Sequence, residues 1–279
     1  MAFDEVYRSI GVVKHVAYVD KVYAGISELR RRAAEPTDGP IDLRLAELRI
    51  FSQNGEDGVL FELLRHLPGI RPHFVEFGVG DGWSCNTRLL AEVLGWSGTY
   101  FEIDAPSHAA LAQRYVNSPA VQCVQAEMTP ANVNDQFARA QVPHDLGVLC
   151  IDIDGQDYWV WQALDAAYRP AVMIAEVNLS FGPDRAVVEA VGASQDHLTQ
   201  TWGASLAAMT QLAGSRGYRL VHVDLAGVNA FFVRSDLLAD RTIRGTASRS
   251  PNYGLHGRDH SLARLYGDGP RVPRPVTDV

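Results

Sequence analysis

Apolar residues change their spacing along the chain. Val19, Val22, Tyr23, Ile26 and Leu29 recur three and four apart, which predicts a helix over residues 16–34. The stretch Glu35-Pro36-Thr37-Asp38-Gly39-Pro40 ends it. A second helical segment starts near Gly55 and carries Val59, Leu60, Leu63 and Leu64 toward Pro68. From residue 74 onward short apolar runs alternate with helical stretches, the pattern of an open parallel sheet. Strands are expected at 73–77, 98–103, 120–125, 147–152, 171–177, 218–223 and 229–234. The expected fold is α/β: a seven-stranded, mostly parallel sheet with helices on both faces, preceded by an N-terminal helical cap. The expected divisions are a cap at 1–70, a ligand-binding sheet domain at 71–238 and an irregular tail or lid at 239–279, where Gly254, Gly257, Gly267 and Gly269 cluster.

The turn after the first strand reads Glu76-Phe77-Gly78-Val79-Gly80-Asp81-Gly82. Glycines tolerate positive φ and carry no Cβ, so the backbone can reverse tightly at the sheet's carboxyl edge and press against a ligand. The second strand then delivers Glu102 and Asp104, where a carboxylate can accept hydrogen bonds from both hydroxyls of a ribose. The pair predicts a nucleoside-cofactor site. A dinucleotide fingerprint would need a third glycine at position 83, which is Trp83.

A second constellation lies at the ends of the fourth and fifth strands. Asp152 and Asp154 are two apart, as are Glu176 and Asn178. If the fourth strand stays extended, Asp152 and Asp154 point the same way. Carboxylates gathered at one edge repel unless a cation sits among them or one is poised as a base. An all-oxygen set favours Mg²⁺, Mn²⁺ or Ca²⁺ over zinc. The competing reading is that Asp154 and Asp157 cap the following helix. Among the histidines, His197 falls on the functional edge and is a candidate base. His256 and His260 would reach the site only if the tail folds over it. His73 and His144 belong at the opposite edge, and His222 reads as a packed residue within its strand. Trp83, Tyr158, Trp159, Trp161, Phe181 and Trp202 are candidates for an aromatic acceptor pocket, or for helix packing.

Composition narrows the partners. The chain has 279 residues, 47% of them hydrophobic, and 33 acidic against 25 basic residues leave a net charge of −8. That balance argues against a nucleic-acid footprint and against binding to anionic membranes. No apolar run approaches the ~18 residues of a membrane span, and MAFDEVYRSIGVV has no secretory pattern, so the expected location is cytoplasmic. Cys85, Cys123 and Cys150 are too widely spaced for a disulfide framework or a zinc site. A homodimer stays open.

Several segments together carry a family resemblance: FSQNGEDGVL (51–60), VEFGVGDG, GWSGTYFEID, IDIDGQDYWVW, GASLAAMTQLAGSRGYRLV and VNAFFVRSDL. Over residues 50–238 the chain resembles the FkbM-like branch of the class I S-adenosylmethionine-dependent methyltransferases, whose Rossmann-like sheet has seven strands with the last antiparallel. The resemblance implies that Glu76, Gly78, Gly80 and Gly82 surround the methionine part of S-adenosylmethionine, with Gln53 approaching from the preceding helix. It further implies that Glu102 holds the ribose, that Ala126 and Glu127 border the adenine, and that Asp152 closes that pocket. Asp154, Glu176 and His197 would then serve catalysis, and Asp152, Asp154, Glu176 and Asn178 would hold Mg²⁺. IDIDGQDYW departs from the pattern of the Mg²⁺-using macrocin-type members. The implied reaction is O-methylation of a small polar acceptor, a sugar or oligosaccharide such as a mannoside in polysaccharide synthesis. A non-sugar acceptor and a non-catalytic S-adenosylmethionine-binding module remain alternatives.

Overall fold

Apolar runs such as Leu146–Ile151, and the run that leads into Glu176 in Val172–Glu176, form strands buried on both faces, as central parallel strands must be. The computed structural model describes residues 2–67, 69–192, 202–238, 241–247 and 276–278. Its main sheet comprises β1 (Arg71–Phe77), β2 (Ser97–Glu102), β3 (Val121–Gln125), β4 (Leu146–Ile151), β5 (Val172–Glu176), β6 (Tyr218–Val223) and β7 (Asn229–Arg234). The spatial order is β3-β2-β1-β4-β5-β7-β6. All pairings through β5 are parallel, and β7 runs antiparallel to both β5 and β6. Every expected strand is present within two residues of its expected ends. The chain winds outward from β1 in one direction and returns at β4 to wind in the other, so the crevice between β1 and β4 is where ligands enter such sheets.

The helices are α1 (Ala2–Ala33), α2 (Glu56–His66), α3 (Arg88–Glu92), α4 (Ala105–Arg114), α5 (Val133–Arg139), α6 (Asp157–Ala163) and α7 (Leu206–Ser215). Two cores result, one on each face of the sheet. Val75, Leu149, Met173 and Phe232 pack with Phe137 of α5, Trp161 of α6 and Met209 of α7. Phe74, Val148, Ile174 and Phe231 pack with Val59, Leu60 and Leu63 of α2 and Leu111 of α4. The second core crosses the expected boundary at residue 70. Ile41–Asp42 also pairs in parallel with Ile243–Arg244, so segments from both ends of the chain meet there. Helix α1 starts well before the expected residue 16 because no proline interrupts it before Pro36. Among the described residues no helix is long and apolar enough to cross a membrane.

The segment before α2 is held by one carboxylate. Asp57 is buried, and its Oδ2 accepts from the backbone N–H groups of Ile50 (2.9 Å), Phe51 (2.7 Å) and Ser52 (2.8 Å) and from the Ser52 hydroxyl (2.8 Å). Ile50 and Phe51 in turn pack with Leu29 of α1 and Leu89 of α3. Asp57→Ala strands four donors in a dry interior at ~1–3 kcal/mol for each unsatisfied group. The expected loss is at least ~3 kcal/mol in urea unfolding, and a loss below ~1 kcal/mol would show that the segment is held by packing instead.

Candidate functional site

The glycine turn is shaped by what lies on either side of it. Gly78, Gly80 and Gly82 all adopt positive φ. At Gly78 (φ 70°) a Cβ would collide with the carbonyl oxygen of Asp152, so the turn closes directly onto the end of β4. Glu76, at the end of β1, is buried behind the turn. Its Oε1 accepts from Asn86 N–H (2.7 Å) and its Oε2 from Thr87 N–H (2.9 Å) and the Thr87 hydroxyl (2.6 Å), which anchors the loop leading into α3. Burial pushes this carboxyl up to about 7 against the pull of those hydrogen bonds. Glu102, at the end of β2, faces the turn from the other side. Its Oε2 accepts from Gly80 N–H (2.6 Å) and its Oε1 from Asp104 N–H (2.8 Å).

These elements frame a cavity of about 780 Å³ whose walls include Gly78, Gly80, Glu102, Ala126, Glu127, Asp152 and Asp154. Phe101 and Met128 supply apolar wall, and Val191 and Gly192 form part of the rim. Gln53 and Gly82, in the surrounding loops, and Glu76, at the end of β1, are not on the cavity wall. Strand β4 ends at Ile151 rather than running extended to Asp154, whose φ is 57°. The reason is Asp157, which is buried and accepts from Ile153 N–H (3.2 Å) and Gly155 N–H (3.0 Å), folding the IDIDGQD loop back on itself. Gly155 (φ 143°) must lack a side chain because the Glu189 carboxylate lies against it.

That turn, and not an extended strand, brings the acids together. Carboxylate oxygens of Asp152, Asp154 and Glu176 lie within 4.8 Å of one another. Burial holds the Asp152 and Glu176 carboxyls well above the ordinary range, and the neighbouring negative charges push them further. Burial alone accounts for most of the rise of Asp157 to about 7. Oε2 of Glu176 is buried without a hydrogen-bonding partner among the described residues. Asn178 caps the turn that follows β5: its Oδ1 accepts from Ser180 N–H (2.9 Å) and its Nδ2 donates to the Trp202 carbonyl (3.0 Å).

His197 lies outside the described residues, as do His256 and His260. His222 is buried and bonded to Glu47 (3.0 Å) and Thr246 N–H (3.2 Å), while His73 bonds the Ser97 hydroxyl at the far end of the sheet. The aromatic pocket expected around the acceptor is not formed by Tyr158 and Trp161, which belong to the main core. Trp202 packs with Ala226 and Val228, and Trp159 donates its indole N–H to the Glu189 carbonyl (2.7 Å). Trp83 is half-exposed beside Tyr18, Arg88 and Arg114. Sequence reasoning missed Glu56, Asp224 and Asn229, which form a buried polar group under the carboxylates. The only sequence signal for them was that Glu56 belongs to the SQNGED segment and Asn229 to NAFFVR.

No protein-family model matches the chain, and no curated protein matches it. Solved structures similar to it are methyltransferases at low identity. The CurJ carbon methyltransferase is 9% identical, over 64% of this chain and 52% of its own, with a TM-score of 0.42. The mitomycin 7-O-methyltransferase MmcR is 16% identical, over 58% of this chain and 48% of its own, with a TM-score of 0.37. A SAM dependent methyltransferase from Aquifex aeolicus is 10% identical, over 65% of this chain and 90% of its own, with a TM-score of 0.38. The chain thus spans about half the length of the first two. These likenesses are distant ones of overall shape, and the site rests on its own geometry.

The buried carboxyls give stability an uncommon pH dependence. Asp57 rises to about 6, Glu76 and Asp157 to about 7, and Asp152, Glu176 and Asp224 are raised as well, against ordinary values of 3.8 for Asp and 4.5 for Glu. Through that window the folded chain binds more protons than the unfolded one, so stability falls as pH rises. The lowered carboxyls, such as Glu28 and Asp42, are half-buried beside arginines and titrate below it. In EDTA, the unfolding free energy from urea titration is expected to be higher near pH ~5 than near pH ~7.5, by on the order of a few kcal/mol. A flat or rising profile would mean that these acids are ionised throughout.

Proposed function

We propose that this chain is an S-adenosylmethionine-dependent O-methyltransferase acting on a hydroxyl of a small polar acceptor, a sugar or oligosaccharide first among them. The observation that carries the reading is the placement of Glu102 opposite the Gly78–Gly80 turn, on a cavity wall shared with Ala126, Glu127 and Asp152. A carboxylate there can exchange its backbone hydrogen bonds for those of a ribose, and the Ala126–Glu127 segment offers an edge for adenine. The glycine turn, with Glu76 anchoring it from behind, is suited to the methionine part. It presents backbone to the ligand where a side chain would not fit. S-adenosylmethionine supplies an electrophilic methyl group on a sulfonium, and the chain's task is to align an acceptor oxygen with it and remove the proton.

Asp154 and Glu176 are the groups proposed for that task, Asp154 standing on the cavity wall beside Asp152. His197 remains a candidate base from the sequence. The same oxygens fit a divalent cation such as Mg²⁺: three carboxylates converge, the charges acting most strongly on Asp152 and Glu176 are other carboxylates, and Oε2 of Glu176 is buried without a donor among the described residues. Asp152, Asp154 and Glu176 would hold the cation, which when bound would lower the pKa of the acceptor hydroxyl. An oxygen-only cluster suits an acceptor rich in hydroxyls, and the sugar class is further supported by the motif resemblance. Radiolabelled methyl transfer from S-adenosylmethionine into extracts, followed by mass spectrometry of the product, tests the reaction and identifies the acceptor. Absence of any labelled product from a protein that binds S-adenosylhomocysteine would favour a binding module.

Glu102→Ala removes charge-assisted hydrogen bonds of ~1.5–3 kcal/mol each, so S-adenosylhomocysteine affinity is expected to fall at least ~10-fold by calorimetry. Unchanged affinity would move the ribose elsewhere.

Asp154→Ala and Glu176→Ala are each expected to lower turnover ~100-fold or more while S-adenosylhomocysteine binding survives. EDTA should abolish activity and Mg²⁺ or Mn²⁺ restore it. Full activity at confirmed low metal content would leave a carboxylate base as the mechanism.

A further inference from the structure

The strand registers continue the acidic cluster beyond β5. Ala175 pairs with Ile151 on one side and Ala230 on the other, and Glu176 pairs with Asn229. Ile174 and Phe231 point into the core shared with α2, whereas Ala175 and Ala230 point into the opposite core. Side chains alternate along a strand, so Glu176 and Asn229 stand side by side on the α2 face. The N-terminus of α2 meets them there, where Asn229 Nδ2 donates to Glu56 Oε1 (2.8 Å).

That bond sets the orientation of the amide. Glu56 is fully buried and is fixed by Asn54, whose N–H donates to Oε2 (2.8 Å) and whose Nδ2 donates to Oε1 (3.1 Å). A carboxylate accepts and does not donate, so the NH₂ end of Asn229 must face it and the carbonyl end must face away. Oδ1 of Asn229 is then left buried, with the residue 2% exposed, and it has no hydrogen-bonding partner among the described residues. Oε2 of its register neighbour Glu176 is in the same condition. Two such acceptors cannot satisfy each other while Glu176 is ionised, but one cation between them satisfies both.

We propose that Asn229 is a further ligand of the cation site, its Oδ1 joining the carboxylates of Asp152, Asp154 and Glu176, and that Glu56 is the positioning residue that aims it. The proposal rests on the cation reading of those three carboxylates. It puts a neutral amide oxygen from β7 where the sequence suggested Asn178, whose side chain is engaged with Ser180 and Trp202. Four oxygen donors from one side leave positions open for water or an acceptor hydroxyl, as hard divalent cations require.

The test titrates Mn²⁺ into the full chain and counts free Mn²⁺ by its paramagnetic resonance, with S-adenosylhomocysteine affinity and melting temperature measured on the same samples. Wild type is expected to bind Mn²⁺. Asn229→Ala and the near-isosteric Asn229→Leu should each weaken that binding at least ~10-fold, while S-adenosylhomocysteine affinity stays within ~2-fold. Asn229→Asp, which keeps the oxygen, should retain most of the affinity, and Glu56→Gln, which removes the fixed acceptor, should weaken it. Asn229→Leu decides the matter should Asn229→Ala fail to fold. Mn²⁺ binding equal to wild type in a folded Asn229→Leu protein overturns the proposal. Absence of Mn²⁺ binding in wild type overturns it together with the cation, and leaves a proton shared by Glu176 and Asn229. Failure to bind S-adenosylhomocysteine would count against the methyl donor separately.

Discussion

Negative charge held out of water at one edge of the sheet governs this structure. Asp57, Glu76, Asp157, Glu176 and Asp224 are buried and Asp152 is half-buried at the cavity wall, and desolvation is the largest influence on each. An interior carboxylate must be answered by hydrogen bonds, by a proton or by a cation. The six divide accordingly. Asp57, Glu76, Asp157 and Asp224 each collect backbone N–H groups from a neighbouring loop and act as fixed hubs of the fold. Asp152 faces the cavity and Glu176 keeps an unanswered oxygen, so these two are left for a ligand to satisfy.

The hubs explain how the site keeps its shape before anything binds. Glu76 secures the loop into α3 behind the glycine turn, and Asp157 reverses the chain after β4 so that Asp154 comes back over Asp152 and Glu176. Asp57 fastens the segment that leads into α2, whose first residue, Glu56, reaches the start of β7 through Asn229. Each of these loops is irregular, and each would leave buried N–H groups without partners if its acid were absent. The strongly raised acids are therefore of two kinds, and only the pattern of hydrogen bonds separates scaffold from site.

Much of the scaffold is legible in the chain itself. Apolar runs four to seven residues long, spaced by helical segments, specify seven strands and their order along the chain, and the glycines between Glu76 and Trp83 mark a tight turn at the sheet's carboxyl edge. Glu102, Ala126, Glu127 and Asp152 are recognisable because they end strands or follow them directly, and residues at a parallel strand's carboxyl end stand at the edge where ligands bind. The extent of α1 was not legible, because nothing before residue 16 states a helical period strongly.

Other features depended on which distant segments meet. Asp154 reads from sequence as the continuation of a strand, yet a left-handed turn places it, and that turn depends on Asp157 and on the Glu189 carboxylate lying against Gly155. Asn178 and Asn229 look alike as asparagines at strand ends, but one caps a short 3₁₀ turn and the other is aimed by Glu56, 173 residues away in the chain. The aromatic residues that suggested an acceptor pocket are largely taken up by packing between helices and sheet. Periodicity and backbone stereochemistry act over a few residues, so the sequence alone determined the strands, the glycine turn and the acids that follow each strand. Which of those acids are satisfied by backbone donors and which are left open is set by contacts between remote segments, and only the tertiary structure decided it.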